Sequence, residues 1–292
     1  MLRQLIINNK ISQFNTSVKI SGDKSLSIRW VLLASQTSGK CLAHNLLMSE
    51  DVVAALDSIK KLGIKVKINE NSCEIYGNGI NGFKYKKKLI INARNSGTLG
   101  RLLLGLLIKS PHKIKLIGDK SLSKRDFSRV TLPLKKFGAK FSYKTKNKLP
   151  LTILGAQSVK GIRYLENKGS AQCKSSVMFA ALNASETTFI KAKKSRNHSE
   201  LLFKYLKIPI KIKKTKKYDF IEVKKPKKIN AFNYEIPGDI SSSAFFMVLT
   251  TLTENSKLLI KNININPSRI GVVTILKKMG AKILLKNQKN YR

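Results

Sequence analysis

Acidic side chains are scarce in this sequence. Sixteen Asp and Glu stand against 57 Lys and Arg in 292 residues, a formal charge of +41. Cysteine is confined to Cys41, Cys73 and Cys173. Three widely spaced thiols exclude a paired disulfide framework and a zinc ligand set, and they point to a reducing, cytoplasmic compartment. No apolar run approaches the roughly 18–20 residues of a membrane span. The opening MLRQLIINNKISQF lacks a sustained apolar core followed by a small-residue cleavage site, so no signal peptide is expected. Aromatics make up 7% of the chain and do not interleave with the basic clusters as a base-stacking platform would require. A Walker-type loop, a GxGxxG fingerprint and a metal-ligand cluster are all missing. The three histidines, His44, His112 and His198, show no triad spacing, and His198 reads as a helix-start residue.

What remains is a globular composition, 42% hydrophobic and 25% charged, with length enough for two cored domains. Lysine carries most of the basic excess and is spread along the whole chain beside abundant Ile and Asn. An AT-rich coding sequence produces that trio, so the charge alone does not argue for nucleic acid as the main partner. The runs at Tyr85–Lys88 and Lys211–Lys217 read as solvated faces or strand edges. The same positive field favours an anionic small substrate.

The chain repeats itself. A run of small polar residues entering an apolar helix occurs as GDKSLSIRWVLLAS, NSGTLGRLLLGLLI, SAQCKSSVMFAAL and DISSSAFFMVLTTL, about 70–75 residues apart. Each is followed by a strand-like stretch: Cys41–Leu46, His112–Ile117, Thr187–Ala192 and Lys257–Ile263. A second element keeps the same period, an amphipathic helix running into an alternating strand: DVVAALDSIKKLGIKVKI, RVTLPLKKFGAKFSY, ELLFKYLKIPIKIKK and RIGVVTILKKMGAKILL. Gly63, Gly138 and Gly280 occupy the helix C-cap position, and Ile208-Pro209 replaces that glycine in the third copy. The expected fold is therefore α/β, built from repeated βαβαββ-type units, with Pro237-Gly238 as a hinge between the third and fourth.

The helix starts suit anions. First-turn amides are unpaired and carry positive partial charge, and Ser25, Ser96, Gly97 and Ser170 allow close approach to them. Such residues also serve as plain N-caps. The arginines add weight, because only about ten occur and six fall in or beside these segments: Arg29, Arg101, Arg125, Arg129, Arg196 and Arg269. Guanidinium pairs with phosphate or carboxylate in a planar fork that lysine cannot reproduce. Lys24 and Gln172 complete a donor-rich set.

These segments resemble those of the EPSP synthase (3-phosphoshikimate 1-carboxyvinyltransferase) family, in order and over essentially the whole chain. SGDKSLSIR is similar to the family's Pro-Gly-Asp/Ser-Lys-Ser-x-Ser-x-Arg, which implies that Lys24 touches both substrates while Ser25 and Arg29 bind shikimate phosphate. NSGTLGR resembles the phosphoenolpyruvate loop and implicates Asn95, Gly97 and, less directly, Arg101. GDKSLSKRDFSRVTLPL implies that Arg125 holds phosphoenolpyruvate. SAQCKS implies phosphate binding by Ser170, Ala171 and Gln172, and SRNHSE adds Ser195 and Arg196. PGDISSSAFF resembles the return into the other domain.

The resemblance implies enolpyruvyl transfer from phosphoenolpyruvate to the 5-hydroxyl of shikimate 3-phosphate, with no metal or organic cofactor. It implies a cytoplasmic monomer in aromatic amino acid biosynthesis; no membrane partner is expected, and a nucleic-acid-binding protein, motivated only by the charge, is the least favoured alternative. The family fold is an inside-out α/β barrel of six units, three per domain. Residues 21–235 would form one complete domain, and residues 1–20 plus 236–292 one third of the other. The catalytic Asp and Glu would then lie beyond residue 292, and the alternative is a truncated, non-catalytic substrate-binding remnant or a chain complemented by a C-terminal fragment. Asp51, Asp119 and Asp239 read as structural. Ser21 and Asp126 stand where the family has Pro, and Trp30 where it usually has a small residue. Asp126 would weaken anion attraction at Arg125 if it pointed inward.

Overall fold

The computed structural model describes residue 8 and residues 10–287. The stretches outside these, to which the second-domain expectation also extends, lie outside the described residues. In chain order the elements are β1 (Asn15–Lys19), α1 (Lys24–Ala34), β2 (Ser38–His44), α2 (Glu50–Lys61), β3 (Lys65–Ile68) and β4 (Ser72–Asn78). The second repeat holds β5 (Leu89–Asn92), α3 (Gly97–Leu106), β6 (Ile114–Ile117), the short α4 (Lys120–Ser123), α5 (Ser128–Lys136), β7 (Lys140–Tyr143) and β8 (Leu151–Leu154). The third holds β9 (Arg163–Glu166), α6 (Ala171–Ala181), β10 (Thr188–Lys193), α7 (His198–Tyr205), β11 (Ile210–Lys214) and β12 (Tyr218–Val223). Then come β13 (Asn233–Glu235), α8 (Ile240–Leu252), β14 (Lys257–Lys261) and α9 (Gly271–Lys278).

Two compact units result, one spanning Gly22–Ile236 and the other formed by the segments up to Ser21 and from Pro237. The larger unit contains three four-stranded sheets of the same design. In the second repeat β5 runs parallel to β6, and β8 and β7 follow antiparallel. The third repeat gives the order β9-β10-β12-β11 with the same senses. The first repeat cannot complete its sheet from its own segment. Its first strand is β13, from the far end of the unit, which pairs parallel to β2 through Asn233↔Leu42 and Glu235↔His44. The strand preceding α1 in sequence, β1, pairs instead with β14 in the smaller unit. The sequence period reads each strand as belonging to the helix that follows it. Pairing is set by long-range hydrogen bonding, and two of the four first strands are exchanged.

Local signals account for the helix boundaries. Asp23, Ser96 and Ser170 cap α1, α3 and α6 by accepting the amide N–H of Leu26, Leu99 and Cys173 at 3.0, 3.3 and 3.2 Å. Gly63, Gly138 and Gly280 adopt the left-handed conformation that ends a helix, with φ of 83°, 99° and 96°. In the third copy Lys207, at φ 53°, takes that conformation before Ile208-Pro209 is reached. The expected strand after Gly280 does not form. In the other repeats it is held by antiparallel pairing to the next strand, and no such partner occurs among the described residues.

The core of the larger unit lies where α1, α3 and α6 meet. Residues 26–34 of α1 and 173–181 of α6 are buried throughout, and α3 buries all but Thr98 and Arg101. Helices apolar on every side have this environment. α8 has the same kind of sequence but buries only Ile240 and Ser243, leaving Phe245 79% and Leu252 78% exposed. No helix among the described residues is long and apolar enough to cross a membrane.

α3 and α6 pack tightly at Gly105, where a Cβ would lie 2.2 Å from the Ser176 carbonyl oxygen. A rigid backbone atom cannot yield cheaply. Gly105→Ala is expected to lower stability by about 1–3 kcal/mol in denaturant unfolding. Gly271→Ala, where a Cβ meets nothing within 4 Å, should stay within about 1 kcal/mol of the parent.

Candidate functional site

The side-chain bonds joining α1, α3 and α6 all leave from the first two turns of each helix. Arg29, 3% exposed, donates from Nε to Ser199 Oγ at 2.9 Å, from Nη2 to Ser175 Oγ at 3.2 Å and from Nη1 to the Ser25 carbonyl at 2.9 Å. The two serine hydroxyls are themselves 2.6 Å apart. One arginine therefore ties α1 to both α6 and α7. Gln172 ties α3 to α6: its Oε1 accepts from Arg101 Nη1 at 2.8 Å and its Nε2 donates to Thr98 Oγ1 at 2.9 Å. Ser176 Oγ adds a bond to the Arg101 carbonyl at 2.8 Å. The three helices start side by side, and their positive ends share one region of the unit.

Two guanidinium groups crowd the start of α3. A Cβ at Gly97 would lie 2.8 Å from Arg101 Nη1 and 2.9 Å from Arg125 Nη1, so both cations face the same small residue. Two like charges this close repel each other. Burial, then the proximity of Arg125 and Arg129, pushes the Arg101 guanidinium below its usual pKa. Arginine stays charged regardless. Glycine at this position lets both guanidiniums close on the start of α3.

Around this pair the loops are pinned by carboxylates. Asp119 accepts from Asn95 Nδ2 at 2.6 Å and from the Leu122 amide at 2.6 Å, and these bonds hold its carboxyl below the usual range. Asn95 Oδ1 in turn stands 3.5 Å from Arg125 Nη2. Asp126 is turned to Ser128, accepting from its amide at 2.6 Å and its hydroxyl at 2.8 Å. This carboxylate serves the first turn of α5, while its charge still acts on Arg101. Glu166, 3% exposed, accepts from Arg129 Nη2 at 3.2 Å and from the Lys168 and Ser170 amides at 3.2 and 2.8 Å. It shapes the loop leading into α6.

The remaining expected residues are placed as follows. Lys24, the first residue of α1, extends its ammonium to within 3.4 Å of Asp51 on α2. Ser25 follows it, and Ala171 opens α6 beside its cap Ser170. The Ser170 hydroxyl accepts the Cys173 amide and also faces the Cys173 thiol. Ser195 lies ahead of α7 with a buried Oγ that has no hydrogen-bond partner among the described residues. Burial raises the Cys173 thiol, which argues against a thiolate nucleophile at this helix start. The sequence reading missed Glu166, Ser175, Ser199 and Thr98. An acid four residues before a helix cap was a readable signal for Glu166. The hydroxyls carried none.

An α/β unit in which three helix starts and several guanidiniums converge is an arrangement suited to small anions. The profile of the EPSP synthase (3-phosphoshikimate 1-carboxyvinyltransferase) family matches residues 8–292, and the chain belongs to that family. It is 39% identical over 287 residues to the 3-phosphoshikimate 1-carboxyvinyltransferase of Oenococcus oeni, covering 97% of this chain and 64% of the relative. It is 35% identical over 284 residues to that of Syntrophomonas wolfei, covering 97% and 65%. The solved EPSP synthase of Acinetobacter baumannii superposes with a TM-score of 0.87 at 32% identity, covering 95% of this chain and 62% of that one. The fold is that of EPSP synthases, and the chain spans a little under two thirds of these relatives' length.

Two outcomes are expected from this geometry. In Gly97→Ala the new methyl meets the mobile ends of two arginines, so the fold should persist while affinity for inorganic phosphate or phosphoenolpyruvate falls at least about tenfold, about 1.4 kcal/mol. Calorimetric titration measures it, and unchanged affinity would remove Gly97 from the site. Asp119 has a depressed folded value, so its contribution to stability is complete above the ordinary carboxylate range and lost only as pH falls through that depressed value. An NMR titration should place its midpoint below the ordinary 3.8. A midpoint at or above that value would mean the bonds from Asn95 and Leu122 do not persist in solution.

Proposed function

We propose that the chain binds shikimate 3-phosphate and phosphoenolpyruvate for enolpyruvyl transfer. A proton adds to the methylene carbon of phosphoenolpyruvate, and the 5-hydroxyl oxygen of shikimate 3-phosphate bonds to the adjacent phosphate-bearing carbon as it loses its own proton. The resulting tetrahedral intermediate expels phosphate and leaves the enolpyruvyl ether. Support comes chiefly from the convergence of Arg101 and Arg125 on Gly97 at the start of α3, where a phosphate or carboxylate would neutralise two cations and a helix end. On this reading Asn95, Gly97 and Arg125 take phosphoenolpyruvate. Ser25, Arg29, Ser170, Ala171, Gln172 and Ser195 take shikimate 3-phosphate, and Lys24 meets both. The unpartnered Ser195 hydroxyl supports the assignment, since a buried hydroxyl without a partner is costly until a ligand supplies one.

No carboxylate near the site is given the proton-transfer role. Asp51, Asp119, Asp126 and Glu166 are each committed to a cation, an amide or a hydroxyl. The chain is taken to act in the cytoplasm as a monomer, in company with the buried, unpaired Cys41, Cys73 and Cys173.

Release of phosphate from the two substrates tests the proposal, using this chain alone and together with the C-terminal third of a relative expressed separately. Saturable shikimate 3-phosphate binding is expected, weakened at least about tenfold by Lys24→Ala. Turnover by the chain alone would make it a self-sufficient enzyme. Binding without turnover would favour a substrate-holding role, and absence of binding would overturn the proposal.

A further inference from the structure

A buried ion pair lies one turn beneath the candidate site and takes no part in the chemistry described so far. Lys174 of α6 and Glu200 of α7 have side chains 0% and 4% exposed, with Nζ and Oε1 2.5 Å apart. Among the described residues neither the ammonium nor either carboxylate oxygen has any other hydrogen-bond partner. Removing two charges from water costs several kcal/mol per ion, and their mutual attraction recovers this only with good auxiliary hydrogen bonds. An apolar pair of similar volume would pack at least as stably here. The best-attested use of such a pair is to fix the register of two elements that apolar packing alone would let slide.

The α6–α7 interface has that character. Farther from the site it is held by Phe179 stacked on Phe203, with ring centroids 5.8 Å apart and planes 16° from parallel. A flat stack of this kind tolerates sliding. At the site end lies the Ser175–Ser199 hydroxyl bond, onto which Arg29 also converges. On α6 Lys174 immediately precedes Ser175, and on α7 Glu200 immediately follows Ser199, so the ion pair lies beside that hydroxyl bond near the two helix starts. Lys174 follows Ser170 by four residues, one helical turn, and so lies on the same face. Glu200 follows Ser195 by five.

We infer that the Lys174–Glu200 pair is a positioning device, setting the loop that carries Ser195 in register with the start of α6 so that both can meet one phosphate. The site role of those residues rests on the proposed function, but the register itself does not. Each charge is useful only opposite the other, so a one-turn slip of α7 along α6 would strand both in the core.

The test replaces the pair by apolar side chains, Lys174→Met with Glu200→Leu, in the full chain. The expected melting temperature is at or above that of the parent. Shikimate 3-phosphate affinity is expected to fall at least tenfold, and amide hydrogen exchange over residues 195–200 to rise. A merely structural pair would move the melting temperature without separating it from binding. Parental affinity together with parental exchange would overturn the inference. Should the double variant fail to fold, Glu200→Asp keeps the charge on a shorter arm. It should weaken binding several-fold and raise exchange over the same residues, and parental behaviour there would be equally fatal. If the unmodified chain binds no shikimate 3-phosphate, the proposed function fails, while exchange over residues 195–200 still decides the register.

Discussion

Burying three helices side by side with their positive ends together is the constraint from which the rest of the larger unit follows. α1, α3 and α6 are too apolar to face solvent, so their packing is driven by the removal of that surface from water. Parallel starts then bring unpaired amides and partial positive charges into one region, an arrangement that repels itself. Capping by Asp23, Ser96 and Ser170 satisfies some amides without removing the field. Arg29, Arg101 and Arg125 add full charges. The fold resolves its apolar problem by creating an electrostatic one, which an anionic ligand of the kind proposed would relieve.

The sheets serve that arrangement. The three four-stranded sheets share one design, and the first is complete only because β13 returns to pair with β2. Four equivalent helix starts, three glycine C-caps and most strand positions could be read directly, because caps and periodicity are local. The exchange of β1 and β13 could not, since nothing in either strand names its partner. Burial was equally hidden: α8 repeats the pattern of α1, α3 and α6, yet leaves Phe245 and Leu252 in solvent. A motif specifies a helix and its cap. What covers the helix is decided elsewhere.

The candidate site is most readable where residue type limits the chemistry available. Arginine stands out from a lysine background, and Gly97 is glycine because two guanidiniums occupy the space a methyl would need. It was not legible where a common residue does an uncommon thing. Lys174 looks like one more member of the basic excess, yet it is fully buried against Glu200. Glu166 organises the approach to α6 from inside the protein. Asp126, suspected of weakening the neighbouring arginine, is committed to Ser128. Charge in this chain is informative only once its burial is known.

Amide chemical-shift mapping during titration with shikimate 3-phosphate tests the central claim most directly. The account predicts saturable shifts confined to the starts of α1, α3 and α6 and the Ser195 loop, with little change on the lysine-rich strand β11. Shifts spread over exposed lysines, or none at saturating ligand, would contradict it.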